Sequence, residues 1–217
     1  MQSKISRVKE HRGYFFDKSK WLIFAFCISY LTVLVEFFNS ERLSIIIPYA
    51  LIIPFFITLP RIIYILRARK NGRGSFMLLS NIERALFVVV LLNAPASLFF
   101  HNMGFQYDRF LHLIMGVVYG YAFIFTLSML IKYPENLMSG GSFSFLVFIG
   151  IAMLFLWEGG QFSIDTMTGT HLFSDKEQNI IQDFWEDIVF GFIGGMAVLF
   201  YLKNKWGKIL DEQIQPK

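Results

Sequence analysis

The sequence predicts an all-α, polytopic integral membrane protein with about six transmembrane helices and both termini cytoplasmic. Three observations predict it: a strongly apolar composition, six apolar stretches of similar length, and basic residues confined to alternate loops. Of the 217 residues 55% are hydrophobic and only 17% are charged, and the mean hydropathy is +0.51. Soluble domains rarely carry so little charge, whereas a chain that lays helices in lipid does. The 26 Phe suit lipid-facing surfaces, which need no polar relief.

The apolar stretches fall at residues 21–38, 44–66, 82–100, 107–131, 143–162 and 183–202. Each is near the ~20 residues that a helix needs to cross the hydrocarbon core. None alternates with period two, and lipid offers no partner to an unpaired backbone group, so helices are expected rather than a barrel. The first stretch follows a basic leader and precedes no small-x-small cleavage site, so it reads as a retained span and not as a cleaved signal. The single cysteine, Cys27, lies inside it and reads as a small hydrophobe; no intrachain disulfide is possible. The second stretch contains Pro48, Pro54 and Pro60 and the third Pro95, where kinks are expected. Arg61 and Arg84 sit near the ends of these two stretches. With no internal repeat or low-complexity segment, residues 1–217 read as one transmembrane domain. Its parts are a leader (1–20), spans one to three (21–106), spans four to six (107–202) and a tail (203–217).

Basic residues set the topology. Six lie in the leader, four between spans two and three (Arg67, Arg69, Lys70, Arg73), one (Lys132) between spans four and five, and four in the tail. The alternate loops hold only Arg42 and Lys176. Fifteen against two places the termini in the cytoplasm and predicts a multi-pass protein of the plasma (inner) membrane. The net charge of +4 is thereby explained by topology, so the expected partner is the lipid bilayer and not a nucleic acid.

This topology brings polar residues to one depth. The fourth span opens with Tyr107-Asp108-Arg109-Phe110-Leu111-His112 at its outer end, with Asp108 and His112 one helical turn apart on one face. The fifth finishes with Glu158 and Gln161, three apart, and the sixth begins with Asp183 and Asp187, four apart. Asp108, His112, Glu158, Asp183 and Asp187 are therefore the candidate catalytic cluster. Gly116 and Gly120 continue the His112 stripe, and Gly191 and Gly195 continue the Asp187 stripe, so spans four and six are expected to pack glycine face to glycine face. Ionisable residues inside spans usually face the protein interior or a water-filled cavity and raise a functional hypothesis. Glu36 and Glu186 read instead as helix ends at the water interface. Arg109 lies one residue off the acidic stripe and is expected to pair sideways or to face an anionic head group.

Four carboxylates against one arginine cannot all stay ionised and crowded. Some hold their protons, or a cation is bound, or the cluster is loose. Retained protons would give an acid and base pair. The cofactor expectation is a divalent metal ion on His112, Glu158, Asp183 and Asp187, a mixed N and O donor set that does not choose among zinc, manganese and magnesium. The outer connection at residues 163–182 is long; it contains Asp165, His171 and the turn-like Thr166-Met167-Thr168-Gly169. It also holds a capping-box spacing at Ser174-Asp175-Lys176-Glu177, and reads as a lid or a plain connector.

The ordered motifs Asp108-Arg109-x-x-His112, Glu158-x-x-Gln161 and Asp183-x-x-x-Asp187 with Gly191, Gly194 and Gly195 resemble those of the VanZ-like membrane proteins. Where that pattern usually has an Asn after its last Asp, this chain has Asp187 and Phe190. The Tyr107-Asp108-Arg109 opening and the paired acids before the last span look closer to the uncharacterised bacterial inner-membrane family that includes YjdF. The resemblance covers roughly residues 107–200. VanZ-like proteins are associated with glycopeptide (teicoplanin) resistance, so it implies a link to the cell envelope and no established reaction.

Three functions compete. The first is an enzyme or binding site at the outer leaflet acting on a lipid or cell-envelope intermediate. The second is a proton- or cation-coupled transporter, against which stand the absence of an inverted repeat and the few polar residues (Thr126, Ser128, Ser144) in the inner halves of spans four to six. The third is a non-catalytic assembly or sensor module whose acids serve helix packing alone.

Overall fold

The computed structural model describes residues 20–39, 55, 57–68, 76–92, 107–169 and 179–213. Every regular element among them is helical. In chain order they are α1 (Lys20–Asn39), α2 (Ile57–Leu66), α3 (Phe76–Leu91), α4 (Tyr107–Leu130), α5 (Gly140–Thr168) and α6 (Ile180–Gln213). The last turn of α2 widens into a π-helical turn over Tyr64–Ala68, one turn past Pro60. A 3-10 helix, Pro134–Met138, joins α4 to α5. Helices α4, α5 and α6 are each long and apolar enough to cross a membrane; α1 to α3 are shorter. The all-α membrane fold is as the composition predicts.

Helix α6 is the hub, packed most extensively on α4 and then on α5, while α3 joins α4 to α1. Lipid is as apolar as leucine, so helices in it associate through close packing and hydrogen bonds instead of water exclusion. The α4–α6 contact shows this directly. A Cβ added at Gly116 would collide with the Gly191 carbonyl oxygen and lie 3.0 Å from the Gly195 nitrogen. One at Gly194 would collide with the Leu113 carbonyl oxygen, and one at Gly120 would lie 2.7 Å from Val198 Cγ1. The expected glycine-to-glycine packing is present, with one refinement. The open side of Gly191 is turned to Leu154 of α5, 2.9 Å from an added Cβ, and Gly194 closes on α4 in its place.

At the opposite end from Asp187, a core of Leu78, Ile82, Phe125, Leu146, Leu202 and Trp206 joins α3 to α6. The Trp206 indole Nε1 donates to the Pro134 carbonyl at 2.7 Å, fastening the end of α6 to the α4–α5 connection. Replacing Trp206 by Phe keeps most of the packing and leaves that carbonyl unbonded. A loss of about 1 kcal/mol is expected, read as a lower unfolding midpoint in detergent. Away from the core α5 carries large exposed apolar side chains, Phe145, Phe148 and Leu156 among them, as a helix lying against acyl chains does.

The structure corrects the bounds of three helices. Helix α3 starts at Phe76, not at residue 82, because Glu83 lies in its interior and is neutralised across the bundle (below). Helix α5 continues through 163–168, which the sequence reading assigns to a loop. The Ser163 hydroxyl bonds back to the Gly159 carbonyl at 2.6 Å, and the helix ends at Gly169, whose φ of 64° suits a residue without a Cβ. Helix α6 begins at Ile180, where the Asn179 side chain accepts from the Ile181 N–H at 2.9 Å, and runs through the expected tail to Gln213. The leader, Pro48, Pro54, Pro95, His171 and the capping-box spacing lie outside the described residues.

Candidate functional site

The chain brings three helix ends together. His112 of α4 lies between acids of all three long helices. Its Nε2 is 3.6 Å from Asp108 Oδ1 on its own helix and 3.5 Å from Asp187 Oδ1 on α6, and its Nδ1 is 3.5 Å from Glu158 Oε1 on α5. Helical periodicity stacks Asp108 over His112, and the glycine contact below draws α6 close enough for Asp187 to reach the same ring. Glu158 and Asp187 are buried, and the His112 side chain is 12% exposed. Among the described residues, Oδ1 of Asp187 is buried with no hydrogen-bond donor.

Beside the imidazole is a small, half-open cleft between α5 and α6. Its walls are two helical stripes with the same spacing: Glu158, Gln161, Phe162 and Asp165 on α5, and Ile180, Asp183, Phe184 and Asp187 on α6. Positions i, i+3, i+4 and i+7 form one face of a helix, so the two faces meet in register. The Phe162 and Phe184 rings are 5.1 Å apart. Glu158 and Asp187 belong to both the imidazole cluster and the pocket, which makes the two one continuous polar site.

The predicted residues are distributed as follows. Asp108, Glu158 and Asp187 surround the His112 imidazole; Gln161 and Asp183 line the adjoining pocket; Gly116, Gly120, Gly191 and Gly195 lie at the helix contacts below. Metal-donor geometry groups Asp108, His112 and Asp187, whose ligand atoms all lie within 4.8 Å of one another. This group shares His112 and Asp187 with the metal set read from the sequence, His112, Glu158, Asp183 and Asp187. Asp165, which spacing alone did not require at the site, is 1% exposed and faces the pocket.

Arg109 does pair sideways, and its partner corrects the reading of Glu186 as a simple helix end. The guanidinium Nε donates to Glu186 Oε2 at 2.6 Å and Nη2 donates to Oε1 at 2.7 Å, a bidentate clamp between α4 and α6. Gln182 Nε2 donates to the same carboxylate at 2.9 Å. The sequence reading also missed a buried ion pair, in which Arg61 Nε and Nη2 of α2 donate to the two oxygens of Glu83 on α3 at 2.6 and 2.8 Å. The available signal was one base and one acid in neighbouring apolar stretches, each too costly in lipid to stand alone.

A family model described as "Predicted membrane protein (DUF2238)" matches residues 19–205 of the chain. No curated protein and no solved structure matches it.

Proposed function

The chain belongs to the DUF2238 family of membrane proteins, of which YjdF is also a member, and from that premise we propose that it binds or acts on a lipid or cell-envelope intermediate through the site formed by α4, α5 and α6. The observation that carries this reading is the continuity of the buried imidazole cluster with the acid-lined pocket at one end of the three long helices. Burying charge beside lipid is costly, so a cluster of this kind earns its place by chemistry or binding. Positions next to the pocket stripes, Ile164, Ile181 and Trp185, present exposed apolar side chains. A ligand with a polar head and acyl chains can place the head among the carboxylates and the chains on that surface.

The distribution of basic residues supports cytoplasmic termini in a plasma membrane, which sets the site at the outer leaflet. The likeness of the ordered motifs to VanZ-like proteins supports an envelope role over an unrelated one. In this reading the His112 cluster meets the ligand's polar atoms, Glu158 fixes the ring, and Asp183 and Gln161 contact the head group from the pocket.

In a deletion strain, Asp183→Ala, Asp187→Ala and His112→Ala are each expected to reach the membrane at normal levels and to restore none of the lost phenotype. Normal complementation by all three sinks the proposal. Asp183→Asn and Glu158→Gln separate chemistry from packing, since both keep shape and remove charge. They are expected to fail as the alanine variants do, whereas a purely architectural role tolerates them.

A further inference from the structure

We infer that Asp108, His112 through Nε2, and Asp187 hold a divalent ion of the zinc class, with Glu158 orienting the imidazole from its other nitrogen. The inference deepens the reading of the same site but is tested without any lipid.

Distances carry the first part of the argument. The imidazole Nε2 lies 3.6 and 3.5 Å from the Asp108 and Asp187 oxygens, too far for good hydrogen bonds. A tetrahedral ion 2.0–2.2 Å from each donor separates its ligands by about 3.3–3.6 Å, which is the spacing around this nitrogen. The three donor atoms span at most 4.8 Å, so the two carboxylates need only a small closure.

An independent observation points the same way. Asp187 is 5% exposed, its carboxyl meets that of Asp108, and its Oδ1, 3.5 Å from the imidazole Nε2, has no hydrogen-bond donor among the described residues. A buried carboxylate oxygen left unmatched costs about 1–3 kcal/mol or more, and a cation removes that cost. The opposite ring nitrogen completes the arrangement. Nδ1 faces Glu158 Oε1 at 3.5 Å, as metal-bound histidines commonly present their second nitrogen to a carboxylate. Two carboxylates and a neutral imidazole balance a double positive charge. Arg109, the nearest cation along α4, is clamped to Glu186. One imidazole with two carboxylates suits zinc and manganese better than magnesium or calcium, which favour oxygen alone. Asp187 also lines the pocket, so the ion's remaining position falls to water or to a head-group oxygen, a step that rests on the proposed function.

The test uses the full chain purified in detergent, its affinity tag cleaved and its metals removed with a chelator. Titration with Zn²⁺ is expected to reach one equivalent that survives desalting, and Co²⁺ to give the intense visible bands of a tetrahedral site. Both signals are expected to disappear in His112→Ala and in the isosteric Asp187→Asn, which decides the matter if the alanine variant does not fold. Glu158→Gln is expected to keep the stoichiometry and weaken affinity about 10–100-fold. Wild-type protein that retains no more metal than the triple variant Asp108→Asn, His112→Ala, Asp187→Asn overturns the inference, as do bands that persist in that variant. Such a result leaves the head-group reading standing; a bound metal together with fully complementing alanine variants removes the head-group reading alone.

Discussion

Arg61→Met is expected to lower the unfolding free energy by about 3–5 kcal/mol, because it strands Glu83 as an unpaired buried charge. The two side chains are 7% and 0% exposed, and the guanidinium meets the carboxylate in a bidentate fork. Glu83→Gln takes the facing negative charge from Arg61 and is expected to act in the same direction. The double variant Arg61→Met, Glu83→Leu removes both charges and replaces them by apolar volume, so it recovers most of the loss. Buried ion pairs exchanged for well-packed hydrophobes are often neutral or better. Midpoints of unfolding in a mixed-micelle titration check all three. A double variant as unstable as the single ones would show that the pair contributes something that apolar packing cannot replace.

Among the described glycines, Gly194→Ala and Gly116→Ala are expected to be the most disruptive substitutions. Each puts a carbon into the carbonyl oxygen of the facing helix, Leu113 and Gly191 respectively, and neither oxygen can move without its helix. Overpacking of this kind costs about 1–3 kcal/mol in ordinary cores, and two backbones held in direct contact place these sites at or above the upper end. Because the same contact sets the separation of α4 and α6, the change also draws Asp187 away from His112, and metal retention and complementation are expected to fall with stability. Gly160→Ala and Gly207→Ala are the internal comparison. An added Cβ meets nothing within 4 Å at either position, and alanine favours the helix by about 0.5–1 kcal/mol, so both variants are expected to be neutral or slightly stabilised. A cross-link between cysteines on α4 and α6 that forms equally well with and without Gly194→Ala would contradict the account.

Much of the site was legible because depth in a membrane can be read from a count of spans. Asp108 to His112, Glu158 and Asp187 lie in separate helices, yet alternating topology puts their ends on one side, and the three acids do meet around the His112 ring. The glycine register was legible for the same reason that it matters, since intervals of four trace one helix face. Helices α1 and α4 were located closely because their apolar runs end where their polar flanks begin. That rule fails where a polar residue is paired or buried. Glu83 lies inside α3 because Arg61 answers it from α2, and Asp165 lies inside α5 because it turns into the pocket. Hydropathy counts these residues as boundaries; the fold treats them as interior. Arg109 and Glu186 are 77 residues apart, and no local pattern marks them as partners. The turn from Gly191 to Gly194 as the closer contact with α4 was beyond reach for a different reason. It depends on how α6 rotates to serve α4 and α5 at once, which a repeat of four does not specify.

Helix α6 has 34 residues, a length of about 51 Å at 1.5 Å per residue, against a hydrocarbon core of ~30 Å. It is unbroken from the first turn, which carries Asp183, to the last, beyond Lys203, Lys205 and Lys208. A continuous helix is a stiff rod, and this one is held by glycine contacts near its middle and by Trp206 toward its far end. Asp187 and Trp206 lie about 28 Å apart along it. On a rod held in this way, a displacement of α6 at the acid-lined pocket would be carried along the helix to its lysine-bearing end on the other side of the bundle.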